Sequence, residues 1–128
     1  SYNANPLSMA AAIATLGRAK PAKGGRRIAV LGDMLELGPS AGELHAGLAK
    51  PLAENRIDAV FASGLLMHHL WAAIAANQRG GYAATSAELA LALADEVKAG
   101  DIVMIKGSYG SKMRVVVEAL RRLGAGER

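Results

Sequence analysis

Three short runs of consecutive apolar residues limit what this chain can become. Arg27-Ile28-Ala29-Val30-Leu31 stops at Gly32, Asp58-Ala59-Val60-Phe61-Ala62 turns at Ser63-Gly64, and Asp101 to Lys106 carries Ile102-Val103-Met104-Ile105. Each run lacks the alternation of a strand with one wet face, so each reads as a strand buried on both sides. Segments of helical period separate them. Pro6 to Ala19 repeats Met9, Ile13 and Leu16, and Leu65 to Asn77 follows the second strand. Ser86 opens a segment with Leu89, Leu93 and Val97, and a last helix carries Met113, Val116, Val117, Leu120 and Leu123. Tyr82-Ala83-Ala84 adds a short, weak strand. Strands alternating with helices give an α/β fold. Right-handed crossovers make it a Rossmann-like, doubly wound and mostly parallel sheet with helices on both faces.

Local signals sharpen the boundaries. Asn5 suits an N-cap and Pro6 the first helical position. Ser40 with Glu43 three residues later predicts a capping box opening a helix over 40–55, and Pro51 predicts a kink or break inside it. The 128 residues fit one domain without staples, and the absence of Cys excludes disulfides and thiolate metal sites. No long linker or internal repeat divides the chain, so residues 1–128 are expected to form a single domain. The first helix has no strand before it, and the chain opens without an initiator Met, so it reads as a piece of something larger. No secretory or membrane-spanning run is present, which makes the cytoplasm the default location.

The charge is mild, 15 Lys and Arg against 11 Asp and Glu, a formal +4. Aromatics make up only 4%, and Phe61 and Trp71 fall in apolar patterns. A nucleic-acid surface wants basic and stacking groups together on one face, so that class is set aside. His68 and His69 are neighbours on a helix and diverge by about 100°, which does not clamp one metal. His45 reads either as a satisfied structural histidine or as a group reaching the strand ends.

Open α/β sheets bind ligands beyond the carboxyl ends of their strands. That rule selects the loop Gly32 to Gly38, Ser63-Gly64, Thr85-Ser86, and the turn Lys106 to Ser111, with Ser1 to Asn5 on the same edge. Lys106-Gly107-Ser108 fits an anion site at a helix start, or equally a capped tight turn with a solvated lysine. Asp33 suits an amine or a ribose hydroxyl, or an Asx-type turn. A P-loop is excluded, since Gly107 and Gly110 are two residues apart and Ser111 precedes Lys112. No Gly-x-Gly-x-x-Gly follows a strand, which counts against a dinucleotide domain, and no nucleophile–base pair is apparent.

Taken together, Tyr2-Asn3-Ala4-Asn5-Pro6 with Ser8-Met9, Val30 through Gly38, and Gly100-Asp101 through Lys106-Gly107-Ser108 resemble the C-terminal domain of the Mur ligases over nearly the whole chain. His45 also falls where that family places a histidine. The Asn-Ala-Asn-Pro version points to the member that adds D-alanyl-D-alanine to UDP-N-acetylmuramoyl-tripeptide in peptidoglycan synthesis. The resemblance implies an ATP-dependent amide ligase working through an acyl phosphate, with ATP and Mg²⁺ bound mainly by a central domain absent here. It implies central and N-terminal domains as partners, and no activity for this domain alone. It also implies nucleotide contacts from Tyr2, Asn3 and Asn5, and substrate contacts from Asp33, Lys106, Gly107 and Ser108. Tyr109 departs from the family pattern, where an arginine commonly follows the serine; tyrosine offers one hydroxyl and no charge. The alternative is a stand-alone Rossmann-like module for a nucleotide or acidic metabolite.

Overall fold

A computed structural model describes residues 4–124. Four parallel strands form one sheet: β1 (Arg27–Gly32), β2 (Ala59–Ser63), β3 (Arg79–Ala83) and β4 (Ile102–Lys106), in the order β3-β2-β1-β4. Six helices connect and flank them: α1 (Pro6–Arg18), α2 (Ala41–Ala46), α3 (Ala49–Glu54), α4 (Met67–Ala73), α5 (Ser86–Glu96) and α6 (Arg114–Gly124). The expected doubly wound α/β architecture is present.

Alternation along β1 and β2 divides the core in two. Ala29, Leu31, Val60 and Ala62 face Met9, Ile13 and Leu16 of α1, Leu52 of α3, and Met67 and Leu70 of α4. Ile28, Val30, Ala59 and Phe61 face Leu89, Ala90 and Leu93 of α5 and Met113 and Val116 before and within α6. This is why the strands read as unbroken apolar runs: both faces are covered.

The cap of α1 forms as expected, in reciprocal form. The Asn5 side chain accepts from the Ser8 N–H at 2.9 Å, and the Ser8 hydroxyl accepts from the Asn5 N–H at 3.1 Å. The expected single helix over 40–55 is instead a 3₁₀ turn (Gly38–Ser40), α2 and α3. Ser40 makes no side-chain cap, because it belongs to the preceding turn rather than to an extended N-cap. The break falls at Gly47-Leu48, upstream of Pro51. Restarting there puts Pro51 in the first turn of α3, where its missing N–H leaves no bond unmade. The expected helix over 65–77 is shorter too. Ile74 turns extended after α4, and a 3₁₀ turn (Ala76–Gln78) follows. The Gln78 amide then donates to the carbonyls of Leu52 and Ile57 at 3.1 and 2.9 Å, tying that turn to the end of α3. Strand β3 begins three residues before the expected Tyr82.

Carboxylates stitch the opposite, amino end of the sheet. Asp101 accepts from the N–H groups of Arg26 and Lys98 at 2.9 and 2.8 Å, with the Arg26 guanidinium 3.6 Å away. Burial opposes the charged form of Asp101. The hydrogen bonds from Lys98 and Arg26 and the guanidinium charge outweigh it and hold the carboxyl below its ordinary value. A lowered carboxyl binds fewer protons folded than unfolded, so its contribution is full above the ordinary carboxylate pKa and is lost as pH falls through the folded value. Asp101→Asn is therefore expected to cost about 1.5–3 kcal/mol at neutral pH. Urea unfolding at pH 7 and pH 3 should show the gap between wild type and variant narrowing at the lower pH.

Candidate functional site

The strand order reverses at β1, whose neighbours are β2 on one side and β4 on the other. Leu31 pairs with Lys106, so the chain leaves β1 at Asp33 and β4 at Gly107 side by side. Such a switch point splays the loops and opens a crevice at the carboxyl edge. The two glycines permit the close passage. A Cβ on Gly107 would stand 2.5 Å from the Ser111 hydroxyl and 3.0 Å from the Gly32 Cα, and one on Gly32 would stand 2.8 Å from the same hydroxyl.

Ser108 joins three segments distant in sequence. Its N–H donates to the Asp33 carbonyl at 3.0 Å, and its hydroxyl accepts from the Leu35 N–H at 2.9 Å. The same hydroxyl makes a long contact of 3.4 Å to the Ala4 carbonyl. Ser108 is 1% exposed. It is thus a buried clamp that holds the opening segment, the 33–37 loop and the 107–111 turn together, rather than a hydroxyl presented to a ligand.

Asp33 has no Asx-turn role. One carboxylate oxygen accepts from the Met67 N–H at 2.9 Å and the other from the Leu66 N–H at 3.2 Å, so Asp33 caps α4 from 33 residues away. Gly64, at φ 111°, passes directly beneath, where a Cβ would overlap the carboxylate. The Tyr82 hydroxyl donates to the Gly64 carbonyl at 2.7 Å. Burial, reinforced by the negative charge of Asp33, raises the Tyr82 phenol above its ordinary value.

His45, fully buried, braces the same loop. Its Nε2 accepts from the Met34 N–H at 2.9 Å, and Nδ1 lies 2.6 Å from the Ala41 carbonyl. A backbone N–H can only donate, so Nε2 is bare and Nδ1 carries the hydrogen. His45 is the structural histidine of the two readings, and its ring does not enter the crevice. His45→Leu fills much of the same space with an apolar side chain but orphans the buried Met34 N–H. It is expected to cost about 1–3 kcal/mol, read as a lower urea midpoint.

Lys106 is the remaining charged residue of these strand ends. It is half-buried at the end of β4, and among the described residues no carboxylate pairs with it. Asn5 spends its side-chain oxygen on the α1 cap. Tyr2 and Asn3 lie outside the described residues. His68 and His69 meet edge to face at 6.2 Å, and among the described residues no three His, Cys, Asp or Glu side chains gather to hold a metal.

Two hollows flank the start of α6. One, about 710 Å³, lies along the 107–110 turn, Tyr109, Met113 and Arg122. The other, about 430 Å³, lies between Asp33, Ser63-Gly64, the start of α5 and Lys112. The sequence marked the loops at Ser63 and Thr85. It gave no sign of Lys112, which enters the wall because it adopts a left-handed conformation, φ 60°.

A family model described as "Mur ligase, glutamate ligase domain" matches residues 1–109. The UDP-N-acetylmuramoyl-tripeptide–D-alanyl-D-alanine ligase of Bacillus subtilis (strain 168) is 31% identical over 129 residues, covering 94% of this chain and 26% of that protein. The enzyme of the same name from Escherichia coli (strain K12) is 31% identical over 125 residues, covering 97% and 26%. Among solved structures, MurF ligase from Thermotoga maritima in complex with ADP superposes with a TM-score of 0.75 at 29% identity, over 95% of this chain and 27% of that one. A MurF from Acinetobacter baumannii gives 0.78 at 28%, over 94% and 26%. The chain spans about a quarter of the length of the curated relatives it matches.

Proposed function

Because the chain belongs to the Mur ligase family, we propose that it is the C-terminal domain of a longer, ATP-dependent ligase that joins D-alanyl-D-alanine to UDP-N-acetylmuramoyl-tripeptide. The observation that carries this reading is the Ser108 clamp. The three segments that resemble the family, at Ala4, Leu35 and Ser108, converge on one hydroxyl at the switch point. The names of the relatives and the ADP in the Thermotoga structure support the same direction.

In this reading the domain closes over a nucleotide-bearing partner domain, and its carboxyl edge receives the dipeptide. The rigid, triply braced 33–37 loop supplies a fixed wall. Lys106 supplies the positive charge, which is worth most where closure has removed water from negative reacting groups. Gly107 brings the turn close. Ser108 clamps three segments and Asn5 caps α1, setting the position of the turn and of the entry into that helix. Tyr2 and Asn3 belong to the proposed nucleotide side. The described residues present no donor set for Mg²⁺, so no step here runs through that ion. Its binding by the other domains, and a cytoplasmic place of action, belong to the same proposal.

The test is ADP release by the longer protein with UDP-N-acetylmuramoyl-tripeptide and ATP, with and without D-alanyl-D-alanine. Release that depends on the dipeptide, and that disappears when residues 1–128 are deleted, is expected. Activity of the 128-residue chain alone would contradict the assignment. Calorimetry on this chain should show only weak ATP binding, since half of the cleft belongs to the partner domain.

A further inference from the structure

Helix α6 lies beyond residues 1–109, which the family model matches, and one side of it has no partner among the described residues. Its inward side is accounted for. Val116 belongs to the core on the α5/α6 face of the sheet, with Ala119 and Leu120 packed against that core. At about 100° per residue, Arg114, Glu118, Arg121 and Arg122 fall in a single outward arc about 100° wide, and all four are exposed. Lys112, also exposed, stands just ahead of the helix. Only one carboxylate, Glu118, stands among these cations. The Arg121 guanidinium lies 3.6 Å from it with both side chains at least half exposed, a pairing that water largely screens. Arg114, Arg122 and Lys112 have no carboxylate partner among the described residues.

The same face carries apolar surface. Arg114, Arg122 and Lys112 border the hollow of about 710 Å³, and Met113, Val115 and Ala119 give it an apolar wall. Tyr109, at its edge, is 83% exposed, and Val115 is 40% exposed. A tyrosine has an apolar ring and a polar tip, which suits a boundary between water and hydrocarbon. Helix α5 packs beside α6 and brings the nearby acids. Glu88 accepts from the Thr85 hydroxyl at 2.9 Å, and neither Asp95 nor Glu96 forms an ion pair with α6.

We infer that the outward face of α6 docks the protein on an anionic lipid surface. Arg114, Arg121 and Arg122 meet the headgroup phosphates, while Tyr109 and Val115 rest at the headgroup boundary. Charge complementarity sets the occupant. Three of the four cations are arginines, whose planar fork pairs two phosphate oxygens at once. A single-stranded nucleic acid, by contrast, draws on a row of stacking aromatics, and this face has one. Among the described residues no helix is long and apolar enough to cross a membrane, so the contact is peripheral. Each cation at such a surface strengthens binding about fivefold, and salt screens the effect. The inference is independent of the ligase reading.

The test is co-sedimentation of the longer protein with vesicles of phosphatidylcholine, alone or mixed with phosphatidylglycerol. Binding to the mixed vesicles only, and its loss in high salt, is expected. Arg114→Gln, Arg121→Gln and Arg122→Gln together should weaken it about a hundredfold and leave the urea midpoint unchanged. Lys20→Gln, Lys23→Gln and Lys50→Gln remove the same charge from other exposed positions and should leave binding near the wild-type level. Equal binding to both kinds of vesicle, or none to either, would overturn the docking face. So would equal losses in the two triple variants, which would make net charge the cause. An oligonucleotide bound more tightly than the mixed vesicles would give the face to nucleic acid instead.

Discussion

Lys106→Met in the longer ligase is expected to lower the kcat for dipeptide-dependent ADP release by about 10²–10³-fold, the loss typical of removing one preorganised electrostatic group. Methionine keeps the length and apolar stem of lysine, and Lys106 has no carboxylate partner among the described residues. Folding stability should therefore move by only about 0.5 kcal/mol. That separation matters. A variant with an unchanged urea midpoint and a collapsed kcat places the lysine charge at the reacting groups. A raised KM with normal kcat would place it in ground-state binding instead. Arginine at 106 should restore little, since a guanidinium carries its charge in a broader planar fork than a compact ammonium. Loss of less than about threefold on Lys106→Met would remove Lys106 from the chemistry altogether.

Phe61→Ala is expected to have the largest effect on stability, about 3–5 kcal/mol, seen as a large drop in the urea midpoint of the 128-residue chain. Phe61 is fully buried in β2, on the α5/α6 side. Its ring also lies over the edge strand: a Cβ on Gly80 would come within 2.5 Å of the ring, and one on Gly81 within 3.1 Å. Truncation thus opens a cavity and strips β3 of its cover at once. Gly80→Val should destabilise from the other side by overpacking, by about 1–3 kcal/mol. The pair should be strongly non-additive, because alanine at 61 makes the room that valine at 80 needs.

That contact also explains what the sequence hid. The β1 and β4 strands were legible because a run of branched apolar residues buried on both faces has few other readings. The same holds for the α1 start, whose Asn5-Pro6 signal is local and needs no distant partner. By contrast β3 begins Arg79-Gly80-Gly81, a poor strand by composition, and it becomes a strand only because a phenyl ring from β2 requires the two glycines. Pro51 announced a break, but its place depended on where the helix restarts: the break falls at Gly47-Leu48 and α3 restarts at Ala49, two residues before the proline.

The candidate loops were legible by position, the commitments of their side chains less so. The rule that ligands gather beyond strand carboxyl ends located all four loops. It did not show which side chains were already committed, because their partners are far away in sequence. Asp33 caps a helix whose first residues stand 33 and 34 positions on. Ser108 reaches Leu35 and Ala4 across 73 and 104 positions. A carboxylate or serine at a loop looks the same in sequence whether it meets a ligand or a backbone N–H. Family resemblance supplied the identity, and the geometry then separated Lys106, which has no carboxylate partner among the described residues, from Asp33, Ser108 and Asn5, which brace.

The most direct measurement is the mass of the product made by the longer protein from UDP-N-acetylmuramoyl-tripeptide, ATP and D-alanyl-D-alanine. The expected result is a nucleotide-linked peptide heavier than the starting one by a single dipeptide less one water, formed with one ADP per product. Recovery of the tripeptide unchanged, with folded protein and ATP present, would contradict the assignment of this domain.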